Sequence, residues 1–168
     1  MRTLVIPDIH NNSANAEAII SKENPDRIVF LGDYFDSFGD ESDVDTVSNT
    51  AMWLADSVQK SNRIHLYGNH DIWYSNPYCE PWCGGNSWFK SFIIRKAEIE
   101  WDKIKFHYWL DHWLCTHAGL SNIIYEEYKS KTVKDLMNDI ESDGRKHPLV
   151  SLVGEVRGGI EGQVGGIS

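Results

Sequence analysis

The chain has 168 residues, 41% of them hydrophobic and 12% aromatic, enough for a core within one domain. Its formal net charge of −9 argues against a general binder of nucleic-acid backbones, which needs clustered Lys and Arg to neutralise phosphates. Cys79, Cys83 and Cys115 cannot all pair with one another, which disfavours a disulfide framework of the secreted kind.

Ahead of Pro7 and Asp8 the only apolar run is Leu4-Val5-Ile6, too short for a signal peptide or a membrane span, so the expected setting is cytoplasmic. "TLVI" (3–6) reads as a first strand, and "SANAEAIISK" after it as a helix with Ser13 as N-cap. "RIVFL" (27–31) reads as a second strand. It runs through Gly32 into a dense set of acids, Asp33, Asp36, Asp40, Glu41, Asp43 and Asp45. One of these could cap a helix and others could be solvated, but a carboxylate at the end of a buried strand, Asp33, is read as facing a cation. Val44, Val47, Ala51, Leu54, Ala55 and Val58 then recur at helical spacing. "RIHLY" (63–67) and "HWLC" (112–115) complete four runs expected to be buried strands, and "TVKDLMNDIES" (132–142) is expected to be an amphipathic helix with Val133, Leu136, Met137 and Ile140 on one face. Strand, helix, strand, helix, strand is the α/β pattern with a parallel sheet.

The chemistry is carried by the residues just beyond each strand: Asp8-Ile9-His10, Gly32-Asp33, Gly68-Asn69-His70-Asp71 and Thr116-His117-Ala118-Gly119. Loops after the carboxyl ends of parallel strands gather on one edge, where ligands bind. Each motif alone is a common turn or chance pair. Their order, each after a strand-like run, points to one site with oxygen and imidazole ligands, suited to Mn²⁺, Fe, Zn²⁺ or Ni²⁺. Gly32 and Gly68 allow close backbone approach where the strands end.

With "GDYFD" and "GNHD" standing between the Asp8/His10 pair and His117, the chain resembles the calcineurin-like metallophosphoesterase superfamily. The resemblance implies a four-layer α/β/β/α sandwich as a single domain over 1–168, with two divalent ions, manganese first among the candidates, about 3.5–4 Å apart. It implies Asp8 and His10 on one metal, Asp33 bridging, and Asn69 with His117 on the other. His70 would contact the phosphate and help the leaving oxygen, Asp71 would orient the His70 ring, and Asp36 would position its neighbours without touching metal. The implied reaction is hydrolysis of a phosphate monoester, phosphoprotein or small molecule, by a metal-activated hydroxide. The alternatives are a phosphodiesterase or nuclease of the same superfamily, or a fragment that binds metal or phosphate without turnover.

"THAGL" resembles the His-(Gly/Ala)-Gly-Leu segment of serine/threonine-type phosphatases. Ser37 where eukaryotic members carry Arg, and Asp71 where they carry Glu, fit the phage or bacterial branch better. No Gly-His-x-His comes after His117, and His147 is the sole later histidine, so the chain is expected to be cut short of its relatives, its C-terminal part incomplete. Arg157 reads either as a phosphate-gripping arginine or as an ordinary loop residue. Cys79 and Cys83, lacking a second pair or a nearby His, are a poor zinc site. Around them, Trp73, Tyr74, Tyr78, Trp82, Trp88 and Phe89 form an aromatic insert at about 73–92, read as a flap shaping substrate choice or as a second small core. His107 and His112 are expected to be core or surface histidines.

Overall fold

A computed structural model describes residues 1–37, 43–75, 85–119 and 131–143. Arg157, His147, Cys79, Cys83, Tyr78 and Trp82 lie outside the described residues. Three parallel strands, β1 (Thr3–Ile6), β2 (Arg27–Phe30) and β3 (Arg63–His65), pair in the order β1-β2-β3. Leu4 stands opposite Ile28, and Phe30 opposite His65. The middle strand is the most buried, with Ile28, Val29 and Phe30 almost inaccessible, as expected for a strand covered on both faces.

Helix α1 (Ser13–Glu23) links β1 to β2, and α2 (Val44–Ser57) links β2 to β3. Right-handed crossovers between successive neighbours put both helices on one face. The Trp53 indole N–H of α2 accordingly reaches Glu17 of α1 at 2.6 Å. Ser13 is the first helical residue, not the cap: Asn12 holds that position without a side-chain cap bond. Helix α1 ends on Asn24 in the left-handed region, its N–H returning to the Ile20 carbonyl, and α2 starts on Asp43, whose carboxylate accepts from the Asp45 N–H at 3.0 Å.

Two short helices come after β3, α3 (Asn69–Ser75) and α4 (Trp88–Arg95), and then a second sheet, the antiparallel pair β4 (Tyr108–Leu110) and β5 (Trp113–Cys115). The fourth run was expected to be buried beside the other three strands. Instead β5 pairs with β4 across a tight turn with Asp111 at φ 52°, and Trp113 is 76% exposed. A hairpin needs only two connecting residues, whereas joining the parallel sheet needs a crossover of a dozen or more. His112 is exposed on that turn, while His107 is buried with its ring 3.3 Å from Glu141. The final described helix, α5 (Val133–Asp143), buries Leu136, Met137 and Ile140 in the common core, with Val133 packed at its margin.

Candidate metal centre

The site forms where the loops after β1, β2 and β3 touch. The Asp33 carbonyl accepts from the N–H groups of Ile9 (3.0 Å) and His10 (2.7 Å), so the first two loops are joined through backbone. Gly32 has φ +107°, and a Cβ there would lie 2.2 Å from the Gly68 nitrogen. One on Gly68 would lie 2.1 Å from Asp33 Oδ1. No side chain fits at either point, which lets the third loop close against the second. His10 (φ 41°), Asp33 (φ 50°) and Asp36 (φ 64°) all adopt left-handed backbone, uncommon for residues other than glycine and typical of functional sites.

Ligand atoms of Asp8, His10 and Asp33 lie within 4.8 Å of one another. His10 Nε2 is 3.9 Å from Asp8 and 3.7 Å from Asp33 Oδ2, and His117 Nε2 is 3.4 Å from the same Asp33 oxygen. His117 also meets Asn69 Oδ1 at 2.9 Å. Asp33 is therefore common to both histidines.

The ring protons can be placed by elimination. His10 Nδ1 is 2.9 Å from the Phe35 carbonyl and His117 Nδ1 is 3.0 Å from the Leu31 carbonyl; a carbonyl only accepts, so both Nδ1 atoms carry hydrogen. Nε2 of each neutral ring then turns a lone pair toward carboxylate or amide oxygens. Against the Asp8 and Asp33 carboxylates that lone pair is repelled unless positive charge lies between them, and a divalent cation would supply it. A donor set of imidazole nitrogen, carboxylate and amide oxygen, with each imidazole oriented by a backbone carbonyl, fits a divalent transition metal.

The charges shift accordingly. Burial pushes the Asp33 carboxyl upward, but the hydrogen bond and charge of His117 outweigh it and hold it below its ordinary value. His117 feels the converse: burial lowers it, Asp33 raises it, and the net direction is up.

The acid that meets the His70 ring is not the one expected. Asp71 does not orient the His70 ring. It is fully buried, one oxygen accepting from the Tyr34 N–H and the other from the Gly68 N–H, both at 2.9 Å, so it clamps the second loop to the third. Burial and then the Asp33 charge push its carboxyl up to about 8, against the pull of those two donors. The partner of the His70 ring is Asp36, whose Oδ2 lies 3.2 Å from Nδ1. His70 itself sits beside the ligand group, its ring edge-to-face with His10 at 5.5 Å and its N–H bonded to Asp33 Oδ1 at 3.0 Å.

Asp36 collects three further donors that sequence reasoning missed: Tyr74 Oη (2.7 Å) and Lys90 Nζ (2.9 Å) on Oδ1, and Asn86 Nδ2 (2.5 Å) on Oδ2. Burial would raise this carboxyl, but its bonds from His70, Lys90 and Tyr74 bring it below the ordinary value. One signal was available: Lys90 stands three and four residues before Ile93 and Ile94, on the inward face of an apolar helix.

His65 was also missed. Tyr34 Oη donates to the Leu66 carbonyl, so it accepts from His65 Nδ1, while His65 Nε2 accepts from Ser57, which in turn accepts from Arg63. Burial drives the His65 pKa down to about 3, keeping it neutral. The chain of bonds anchors Tyr34, the neighbour of Asp33.

The aromatic residues after the third motif divide. Trp73 and Tyr74 are core, whereas Trp88 and Phe89 are 53% and 58% exposed on α4.

Imidazole and carboxylate ligands gathered at the carboxyl edge of a parallel α/β sheet define a candidate metal-binding hydrolase. The chain belongs to the calcineurin-like phosphoesterases: the family model matches residues 1–157. It is therefore a metal-dependent phosphoesterase in the general sense of that family, acting on phosphate esters. No curated protein matches the chain. Among the described residues, no helix is long and apolar enough to cross a membrane.

Proposed function

We propose that this protein hydrolyses phosphate monoesters, on phosphoprotein or a small molecule, using two divalent cations with manganese as the first candidate. The observation that carries the reading is the meeting of Asp8, His10 and Asp33 ligand atoms within 4.8 Å, with His117 on the same Asp33 oxygen. In this reading Asp8 and His10 hold one cation, Asn69 and His117 the other, and Asp33 both. When bound, the cations supply Lewis acidity toward the phosphoryl oxygens and acidify a water for in-line attack at phosphorus.

The chain's own residues do the rest. Carbonyls of Phe35 and Leu31 fix the tautomers and orientations of His10 and His117. His70, held at Nδ1 by Asp36, protonates the departing oxygen from Nε2. Asp71 keeps the Gly68 turn against Tyr34, and Arg157 grips substrate oxygens. A four-layer sandwich, a cytoplasmic setting and the phage or bacterial phosphatase branch belong to the same proposal.

The test is hydrolysis of nitrophenyl phosphate against its bis-ester during Mn²⁺ titration. The monoester is expected to be cleaved faster, and only with metal. Preference for the bis-ester would make the protein a phosphodiesterase, and metal uptake without turnover would make it a binding protein.

A further inference from the structure

Asp36 has a side chain with no exposed surface, so its charge must be offset from within. Both oxygens are taken, Oδ1 by Tyr74 and Lys90, Oδ2 by Asn86 and His70. Four donors use about all the acceptor sites a carboxylate has, which stops it from rotating. Lys90 is the permanent cation among them. It is 4% exposed, and its ammonium is also bonded to the Gly85 carbonyl at 2.9 Å. Burying an ammonium costs several kcal/mol unless it is paired, so a lysine in this place requires its partner as much as the partner requires it. The same short segment reaches His70 a second way, through Asn86 Nδ2 on the His70 carbonyl at 3.3 Å.

We propose that Lys90 is a positioning residue for hydrolysis: its ammonium pins Asp36, and Asp36 thereby pins the His70 ring. The inference rests on the phosphomonoesterase reading for its kinetic consequence, but its structural content does not. Without the lysine charge a buried carboxylate takes up a proton or draws in water. Either way Oδ2 ceases to be a fixed acceptor for His70 Nδ1, and the proton on Nε2 is no longer aimed.

Lys90→Met tests this in two measurements on the whole chain. In the metal-free protein, nitrogen NMR of the His70 ring is expected to show the Nδ1–H bonded to carboxylate in wild type and lost or averaged in the variant. In the Mn²⁺-loaded protein, kcat for nitrophenyl phosphate is expected to fall roughly 10- to 100-fold, the usual cost of losing an outer partner, with metal content unchanged. KM should move by less than about threefold, because the loss lies in proton delivery and not in ground-state binding. In a His70→Asn background, Lys90→Met should cost nothing further, since two residues acting through one group are not additive.

An unchanged His70 signal, a wild-type kcat, or the same loss in the His70→Asn background overturns the proposal. If Lys90→Met does not fold, Lys90→Gln, which keeps length and a donor but drops the charge, carries the same measurements. A wild-type protein that binds Mn²⁺ yet cleaves neither ester refutes the phosphoesterase reading alone, and NMR still decides whether Lys90 holds the pair.

Discussion

Asp33 and Asp36 stand three residues apart in one loop, both buried and both left-handed in φ, yet their charges are balanced in opposite ways. Asp33 faces the imidazoles of His10 and His117; burial lowers His117, but the Asp33 hydrogen bond and charge raise it above its ordinary value, so the charge that balances Asp33 there is a removable proton. Asp36 faces a lysine, a tyrosine, an amide and a histidine. A site whose compensating charge is a proton can exchange it for metal; one whose compensating charge is a lysine cannot. One loop thus carries an exchangeable centre and a permanent brace, with His70 bonded to both: its N–H to Asp33, its ring to Asp36.

The strongest way to break this comparison is at Asp33. Asp33→Asn is expected to cost metal affinity more than Asn69→Ala, because a bridging carboxylate would serve two cations and the amide one. The loss should exceed the roughly 10- to 100-fold typical of outer partners. Elemental analysis after dialysis checks it, and equal metal content in wild type and Asp33→Asn would end the bridging assignment.

His70→Asn probes the other end of the loop. Turnover should drop by roughly 10²–10⁴-fold, the range for a lost general acid, while metal content stays at the wild-type level. Loss of metal from this variant would make His70 a ligand.

Gly68→Ala strikes the Asp33 side through shape alone. Its Cβ would press on Asp33 Oδ1, and overpacking of that kind costs roughly 1–3 kcal/mol. Denaturant unfolding should show that loss together with weaker metal binding, and the His70–Asp36 ring signal should persist. Wild-type stability and affinity would show that the contact between the two loops yields freely.

The gentlest probe is pH. His117 and His70 have folded values raised above 6.5, so the stability they contribute is complete below pH 6.5 and is lost as pH rises through their folded values. Asp33 and Asp36 have lowered values, so their contribution is present above 3.8 and disappears as pH falls through the folded values. Asp71, raised from 3.8 to about 8, contributes stability that is complete below pH 3.8 and falls away as pH rises to about 8, which adds to the same decline. Metal-free protein in chelator should therefore lose stability between pH 6.5 and 8, while Mn²⁺ affinity climbs over the same range as the His117 proton becomes easier to displace. Unfolding midpoints and Mn²⁺ titrations at pH 6, 7 and 8 provide the check; a stability that rises with pH in chelator would contradict the His117 assignment.

Much of the molecule was legible in the sequence because its determinants are local. The helices over 44–57 and 133–143 obey apolar spacing, the one over 13–23 is written in helix-forming residues, and the strands at 3–6, 27–30 and 63–65 coincide with short β-branched runs; all of these are patterns of short windows. Asp8, His10, Asp33, Asn69 and His117 stand out as candidates because each comes after a strand-like run, and parallel pairing of the first three strands brings their ends to one edge. His117 arrives there from a hairpin outside that sheet, so its meeting with Asn69 and Asp33 depends on packing between two sheets.

The order of elements and the identity of the donors were determined by the sequence itself, since periodicity and residue chemistry are properties of short windows. Tertiary structure alone decided which acid serves which histidine. Asp71 is the neighbour of His70 in the chain, but helical backbone and the close approach of Gly32 to Gly68 turn its carboxylate toward the N–H groups of Tyr34 and Gly68. Asp36, 34 residues away, takes the ring instead, and Lys90, 54 residues from Asp36, takes the carboxylate. Partners that far apart leave no spacing to read, because a hydrogen bond is fixed by distance in space and the chain between its ends is free to take any course that closes the loop.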